Sequence, residues 1–141
     1  MSIGMDETLV RLIFAAVLVA ALAGVYRVVT TLVLARAHRT GNSLTQFTPG
    51  TPGVVFLTTP DCVTCKAAQK PALRALSDRL SGRVQVIEVD ALDNAVLAKQ
   101  WSVLSVPTTF VLDRDGKPRR VNHGYASTEK LFGQIAALGQ I

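Results

Sequence analysis

Two cysteines, the only ones in the chain, stand three positions apart in "TTPDCVTCK", residues 58–66. Cys62 and Cys65 could form a structural disulfide, supply half of a metal site, or pass electrons as a dithiol. Small secreted domains stapled by disulfides carry several cysteines at longer spacings. A CxxC bridge closes a very short loop, so it restricts the unfolded chain little. A structural zinc site usually takes four ligands, and the distant His38 and His123 give no recognisable zinc spacing. Redox chemistry is therefore the leading reading of the pair.

The chain has 141 residues and a formal net charge of +5. From Thr51 onward Lys and Arg exceed Asp and Glu only mildly, and no basic run is interleaved with aromatics. That pattern is a solvated surface and does not support nucleic-acid binding. The apolar residues concentrate between Leu9 and Ala35, which points to an anchor followed by a soluble domain.

"LIFAAVLVAALAGVY", Leu12 to Tyr26, is free of charge. Alone it would reach only about 22 Å at about 1.5 Å per residue. Crossing about 30 Å of hydrocarbon takes roughly 20 residues, so the helix is expected to run from about Leu9 to Leu34. Arg27 then lies in its last third, where its stem carries the guanidinium to the interface. A cleaved leader ending at Ala21-Leu22-Ala23 is the competing reading. It is disfavoured by the acidic start (Asp6, Glu7) and by the apolar sequence that continues past the cut. Arg11 flanks one end, whereas Arg27, Arg36 and Arg39 lie toward the other, so the positive-inside rule places the C-terminal domain in the cytoplasm. The expected organisation is a tail over 1–8, a transmembrane helix over 9–35, a linker over 36–50 and a domain over 51–141. Within the Gly, Pro, Ser and Thr-rich stretch 40–53, "LTQF" could form an edge strand.

"VVFLTT", Val54 to Thr59, reads as a buried central strand. After the cysteines, Ala68, Ala72, Leu76 and Leu80 mark one helical face, with Pro71 expected to kink the helix. "RVQVIEVD" (83–90) reads as a strand, and "DNAVLAKQW" as a helix capped by Asp93 or Asn94, with Asp90 capping the intervening turn. "TTFVLD", "RDGK" and "PRRVNHG" read as a hairpin, and Ser127 opens a last helix. The order is β-α-β-α-β-β-α, an α/β fold with helices over a mixed sheet. Trp101 is assigned to core or interface, and His123 and Lys66 to solvated polar roles rather than pKa tuning.

The strand ending in CxxC, the helix after it and "SVPTTFVLD" (105–113) resemble the thioredoxin family over about residues 51–139. The resemblance implies a thioredoxin-like fold preceded by one transmembrane helix. It implies that Pro107 is a cis proline lying against the disulfide, that Val106 offers backbone groups to a substrate strand, and that Gly124 leaves space beside the active site. A helix N-terminus favours a thiolate, so Cys62 is expected to be the nucleophile and Cys65 the resolving thiol.

Three departures from the family pattern matter. Asp61 stands where family reductases often have Trp, and a carboxylate beside Cys62 disfavours its thiolate, the direction of a reductant. Phe56 fills the position of the family's buried acid. Pro71 comes one residue later after the second cysteine than in thioredoxin.

The expected function is a membrane-anchored thiol–disulfide oxidoreductase, a reductant acting on protein disulfides and recharged by an upstream electron donor. No cofactor beyond the redox-active Cys62–Cys65 disulfide is expected, and no metal. The alternatives are an extracytoplasmic thioredoxin-like protein of the cytochrome c maturation type, a redox-silent binding module on the same fold, and a metal chaperone. The last is weakened by the proline beside the cysteines and by the lack of Met or His near the motif.

Overall fold

In a computed structural model the structure describes residues 7–40, 44–139 and 141. Most of the expected N-terminal tail, and part of the expected linker, lie outside those residues. The chain divides into two compact units, one up to Leu32 and one from Val33 onward.

The described residues of the first unit are helical. They belong to α1 (Glu7–Thr40), whose stretch Glu7–Arg39 is long and apolar enough to cross a membrane. Leu12, Phe14, Val17, Val19 and Leu22 are all more than half exposed. A helix apolar on every side requires a nonaqueous or protein surrounding, because water disfavours each of those faces.

The second unit opens with the last turns of that helix. α1 continues through residues 36–40, which composition assigned to the linker. The physical reason is burial: Val33 and Ala37, one turn apart, enter the core cluster that contains Trp101 and Phe110. His38 Nε2 meets the carbonyl of Pro118, and Arg36 donates to Ser102 Oγ at 3.3 Å.

The sheet is built from β1 (Gly53–Thr58), β2 (Gln85–Asp90), β3 (Thr108–Leu112) and β4 (Pro118–His123) in the order β2-β1-β3-β4. β1 pairs parallel with β2 and antiparallel with β3, and β3 pairs antiparallel with β4. Every residue of β1 and β3 is buried, as inner strands covered on both faces require. α2 (Lys70–Arg79) and α4 (Thr128–Ala136) pack on one face with Phe56, Leu73, Leu76 and Leu131. The other face carries α3 (Ala95–Gln100), Trp101 and residues 33–37. Trp101 is fully buried, edge-on to Phe110 at 4.7 Å between ring centroids.

Several local expectations change. "LTQF" forms a turn rather than an edge strand, with Phe47 N–H donating to Leu44 O at 3.2 Å. Phe47 is drawn inward instead: a Cβ on Gly116 would stand 2.9 Å from its ring. The Asp115-Gly116 turn thus needs glycine twice, for that close approach and for its φ of +78°. Asn94 holds the N-cap position of α3 without a side-chain cap. The turn before it is held by Asp90, whose Oδ1 accepts from Leu92 and Asp93 N–H groups. Ser127 caps α4 by accepting from Lys130 N–H.

Candidate functional site

The register fixes which loops meet. Thr58 stands beside Asp90, Leu57 beside Thr108, and Thr108 beside His123. The segments after β1, β2 and β4 and the segment before β3 therefore gather at one end of the sheet. Cys62, Cys65, Val106, Pro107 and Gly124 all lie on them. The resemblance implies that Pro107 and Gly124 lie beside the cysteines, and the register gathers their segments at this end of the sheet.

Cys62 and Cys65 form a disulfide, with S–S 2.13 Å and Cα–Cα 5.3 Å. Helical conformation begins at Val63, so Cys62 sits just before the first turn. Helix starts leave N–H groups without intrahelical acceptors. One of them, Cys65 N–H, donates to Cys62 Sγ at 3.2 Å. Cys62 is half-buried, whereas Cys65 is fully buried among Phe56, Leu73, Leu76 and Ala126. The two sulfurs thus differ in access, which makes Cys62 the one an incoming group meets.

Pro71 does not simply kink the helix. A π-helical turn, Cys65–Gln69, precedes α2, closed by Lys70 N–H to Cys65 O. Proline has no N–H and crowds the carbonyl four residues back, and the wider turn removes that conflict before Pro71 enters the first turn of α2. This turn also brings Gln69 into the interior. Gln69 is fully buried, and its amide donates to Ala126 O at 3.0 Å and accepts from Ala126 N–H at 2.9 Å. The sequence reading missed Gln69. Its signal was a polar residue one turn after Cys65, masked because the buried face was counted from Ala68 at regular α-helical spacing.

The Val106–Pro107 peptide is cis, and Pro107 O accepts from Gly124 N–H at 2.8 Å. Val106 is half-buried and packs against both core clusters. Gly124 has φ +81°, and an added Cβ would meet no atom within 4 Å, so backbone conformation is what demands glycine there. Asp61, Lys66 and His123 are exposed. Val63, between the two cysteines in sequence, and Tyr125, in the segment after β4, are large exposed hydrophobic groups.

Among the described residues the only buried carboxylate is Asp113, and it lies at the other end of the sheet, just past Leu112, the partner of Gly53. Burial pushes its pKa up, but the Lys117 N–H, the Arg119 side chain at 2.6 Å, the Asp115 N–H and the Arg119 charge outweigh this, and the carboxyl is held below its ordinary value. Beside Cys65 the corresponding space is apolar: Phe56, 1% exposed, fills it.

A thioredoxin family model matches residues 43–137. The chain belongs to the thioredoxin family. Solved structures agree. An uncharacterized thioredoxin-like protein from Clostridium perfringens is 26% identical, with TM-score 0.61, over 68% of this chain and 77% of that one. Fasciola hepatica thioredoxin is 27% identical, with TM-score 0.54, over 63% and 82%. Thioredoxin-2, a component of the malaria parasite protein secretion machinery, is 24% identical, with TM-score 0.57, over 62% and 82%, and shares the fold. No curated protein matches the chain. A thioredoxin fold with a CxxC disulfide supports thiol–disulfide oxidoreductase chemistry in general.

Proposed function

We propose that the protein is a membrane-anchored thiol–disulfide oxidoreductase that reduces disulfides in partner proteins. The observation that carries this reading is the asymmetry of the pair: Cys62 is accessible and accepts the Cys65 N–H, while Cys65 is enclosed. In the reduced protein that N–H and the helix start favour a thiolate on Cys62. The Cys62 thiolate attacks a substrate disulfide, forming a Cys62–substrate S–S bond as the other substrate sulfur leaves with the electron pair. Cys65, as thiolate, then attacks Cys62 Sγ; the Cys62–Cys65 bond forms and the second substrate sulfur leaves. Two electrons pass to the substrate, and an upstream dithiol donor must restore the reduced protein.

Pro107, Val106 and Gly124 serve as the substrate groove, with Val106 backbone groups free to pair with an extended segment. Asp61 works against the Cys62 thiolate and favours a reducing protein, an effect tempered by its exposure. With Phe56 beside Cys65, the proton of the resolving thiol passes to water rather than to a buried carboxylate. α1 serves as the anchor, with the domain on the cytoplasmic side by the placement of Arg27, Arg36 and Arg39.

The test is reduction of a disulfide-bonded test protein by the full chain in detergent, with dithiothreitol as recycling donor. Cys62→Ser is expected to remove the catalysed rate. Retention of the wild-type rate by Cys62→Ser would leave the fold as a redox-silent binding platform. Protease protection in sealed cells checks the topology: digestion of the domain from outside would place it on the extracytoplasmic side.

A further inference from the structure

The resolving cysteine has a wall that its own helix holds shut. Cys65 and Ala126 are both fully buried in one apolar cluster. Ala126 belongs to the segment between β4 and α4, which has no ladder partner there to satisfy its backbone. The Gln69 amide supplies both bonds, to Ala126 O and from Ala126 N–H. A side-chain amide paired to a peptide in this two-point manner fixes both position and orientation. The same segment is tied on its other side by Gly124 N–H to Pro107 O, and Thr128 Oγ1 donates to Ala72 O at 3.0 Å. Gln69 reaches Ala126 from the π-helical turn that begins at Cys65. Cys65 and the residue that clamps Ala126 therefore share one helical turn, and Cys65 and Ala126 share one apolar cluster.

We propose that Gln69 is a positioning residue for the resolving thiol: by clamping Ala126 it keeps Cys65 closed to solvent and to any partner except the sulfur of Cys62. This rests on the redox reading given above for what Cys65 does, although not for how enclosed it is. The enclosure restricts Cys65 to the resolving step, because it is fully buried and the sulfur it meets is that of Cys62. Breaking the clamp leaves two buried polar groups of Ala126 unsatisfied, and the segment opens to let water reach them.

The test uses the full chain in detergent, reduced, with Cys62→Ser so that Cys65 is the single thiol, and follows alkylation by iodoacetamide. In each reaction the Cys65 thiolate displaces iodide and forms a thioether. Adding Gln69→Ala is expected to raise the rate by about ten- to a hundred-fold, the factor by which losing such buried bonds shifts a local opening. Asp113→Asn, which weakens the domain at the other end of the sheet, is the control and is expected to leave the rate within about two-fold. Gln69→Glu supplies a second readout. A protonated carboxyl can donate and accept as the amide does, whereas a carboxylate cannot donate to Ala126 O. Its rate relative to the Cys62→Ser chain at the same pH is expected to be near one in acid and to rise as the carboxyl ionises. A Gln69→Ala rate within two-fold of its parent, or an equal increase from Asp113→Asn, overturns the proposal. Should Gln69→Ala not fold, a Gln69→Glu ratio that is constant with pH overturns it instead. Alkylation does not require turnover. A chain whose Cys62→Ser variant keeps full reductase activity sinks the redox reading and leaves the clamp result standing by itself.

Discussion

The backbone N–H of Cys65 points at Cys62 Sγ from 3.2 Å, yet the two cysteines differ in access, Cys62 half-buried and Cys65 fully buried. One helix start thus gives two thiols unlike environments: a polarised, reachable sulfur and an enclosed one three residues on. The proposed division of labour, attack by Cys62 and resolution by Cys65, rests on that difference.

Replacing the enclosed sulfur should stall the cycle halfway. Cys65→Ser is expected to accumulate a covalent complex with disulfide-bearing proteins through Cys62, because nothing nearby can displace the substrate sulfur. Non-reducing gel electrophoresis reads it directly: a band that dithiothreitol collapses. Cys62→Ser should give none, since Cys65 is shielded.

The core of the second unit includes the end of α1. Ala37 is fully buried whereas Ala35 is exposed, so the same substitution should have opposite weight at the two positions. Ala37→Asp is expected to cost about 3 kcal/mol by burying an unpaired carboxylate. Ala35→Asp should stay within about 0.5 kcal/mol. Denaturant unfolding of the full chain, followed by Trp101 fluorescence, separates them.

Asp113 makes acid stability predictable. Its folded pKa is lowered, so its contribution is fully present above the unfolded carboxyl value of about 3.9 and is lost as pH falls through the folded value. Wild-type stability should therefore decline below about pH 4 with a component that Asp113→Asn lacks. At neutral pH that variant should lose about 1–3 kcal/mol, since Arg119 and the Lys117 and Asp115 N–H groups lose a charged acceptor. Urea titrations of both proteins between pH 2.5 and 7 test both statements. Equal acid slopes for the two would assign the decline to other carboxyls.

The cysteine pair was legible because a short-range signal carries it. The CxxC after an apolar run is read from the residues themselves, whereas the parts given to Pro107 and Gly124 come from the resemblance to the thioredoxin family. Their meeting at one sheet end follows from strand order, which the β-α-β-α-β-β-α pattern already constrained. What escaped was what depends on partners far along the chain. Gln69 lies off the apolar face counted from Ala68, and the π-helical turn brings it to Ala126, 57 positions on. Phe47 reads as part of a strand until the glycines of β1 and the hairpin turn offer it a seat. Val33 reads as membrane sequence because burial against Trp101 and burial in lipid demand the same residue types, and Ala37 reads as linker because its partners in the core lie far along the chain.

The central claim is that the Cys62–Cys65 pair is a working reductant, and its reduction potential tests that most directly. The full chain in detergent, equilibrated in graded dithiothreitol or glutathione buffers and quantified by thiol labelling, gives the value. A potential at or below about −250 mV, in the range of thioredoxin, is the expected result. A value near about −120 mV would mark an oxidant and contradict both the direction of electron flow and the part assigned to Asp61.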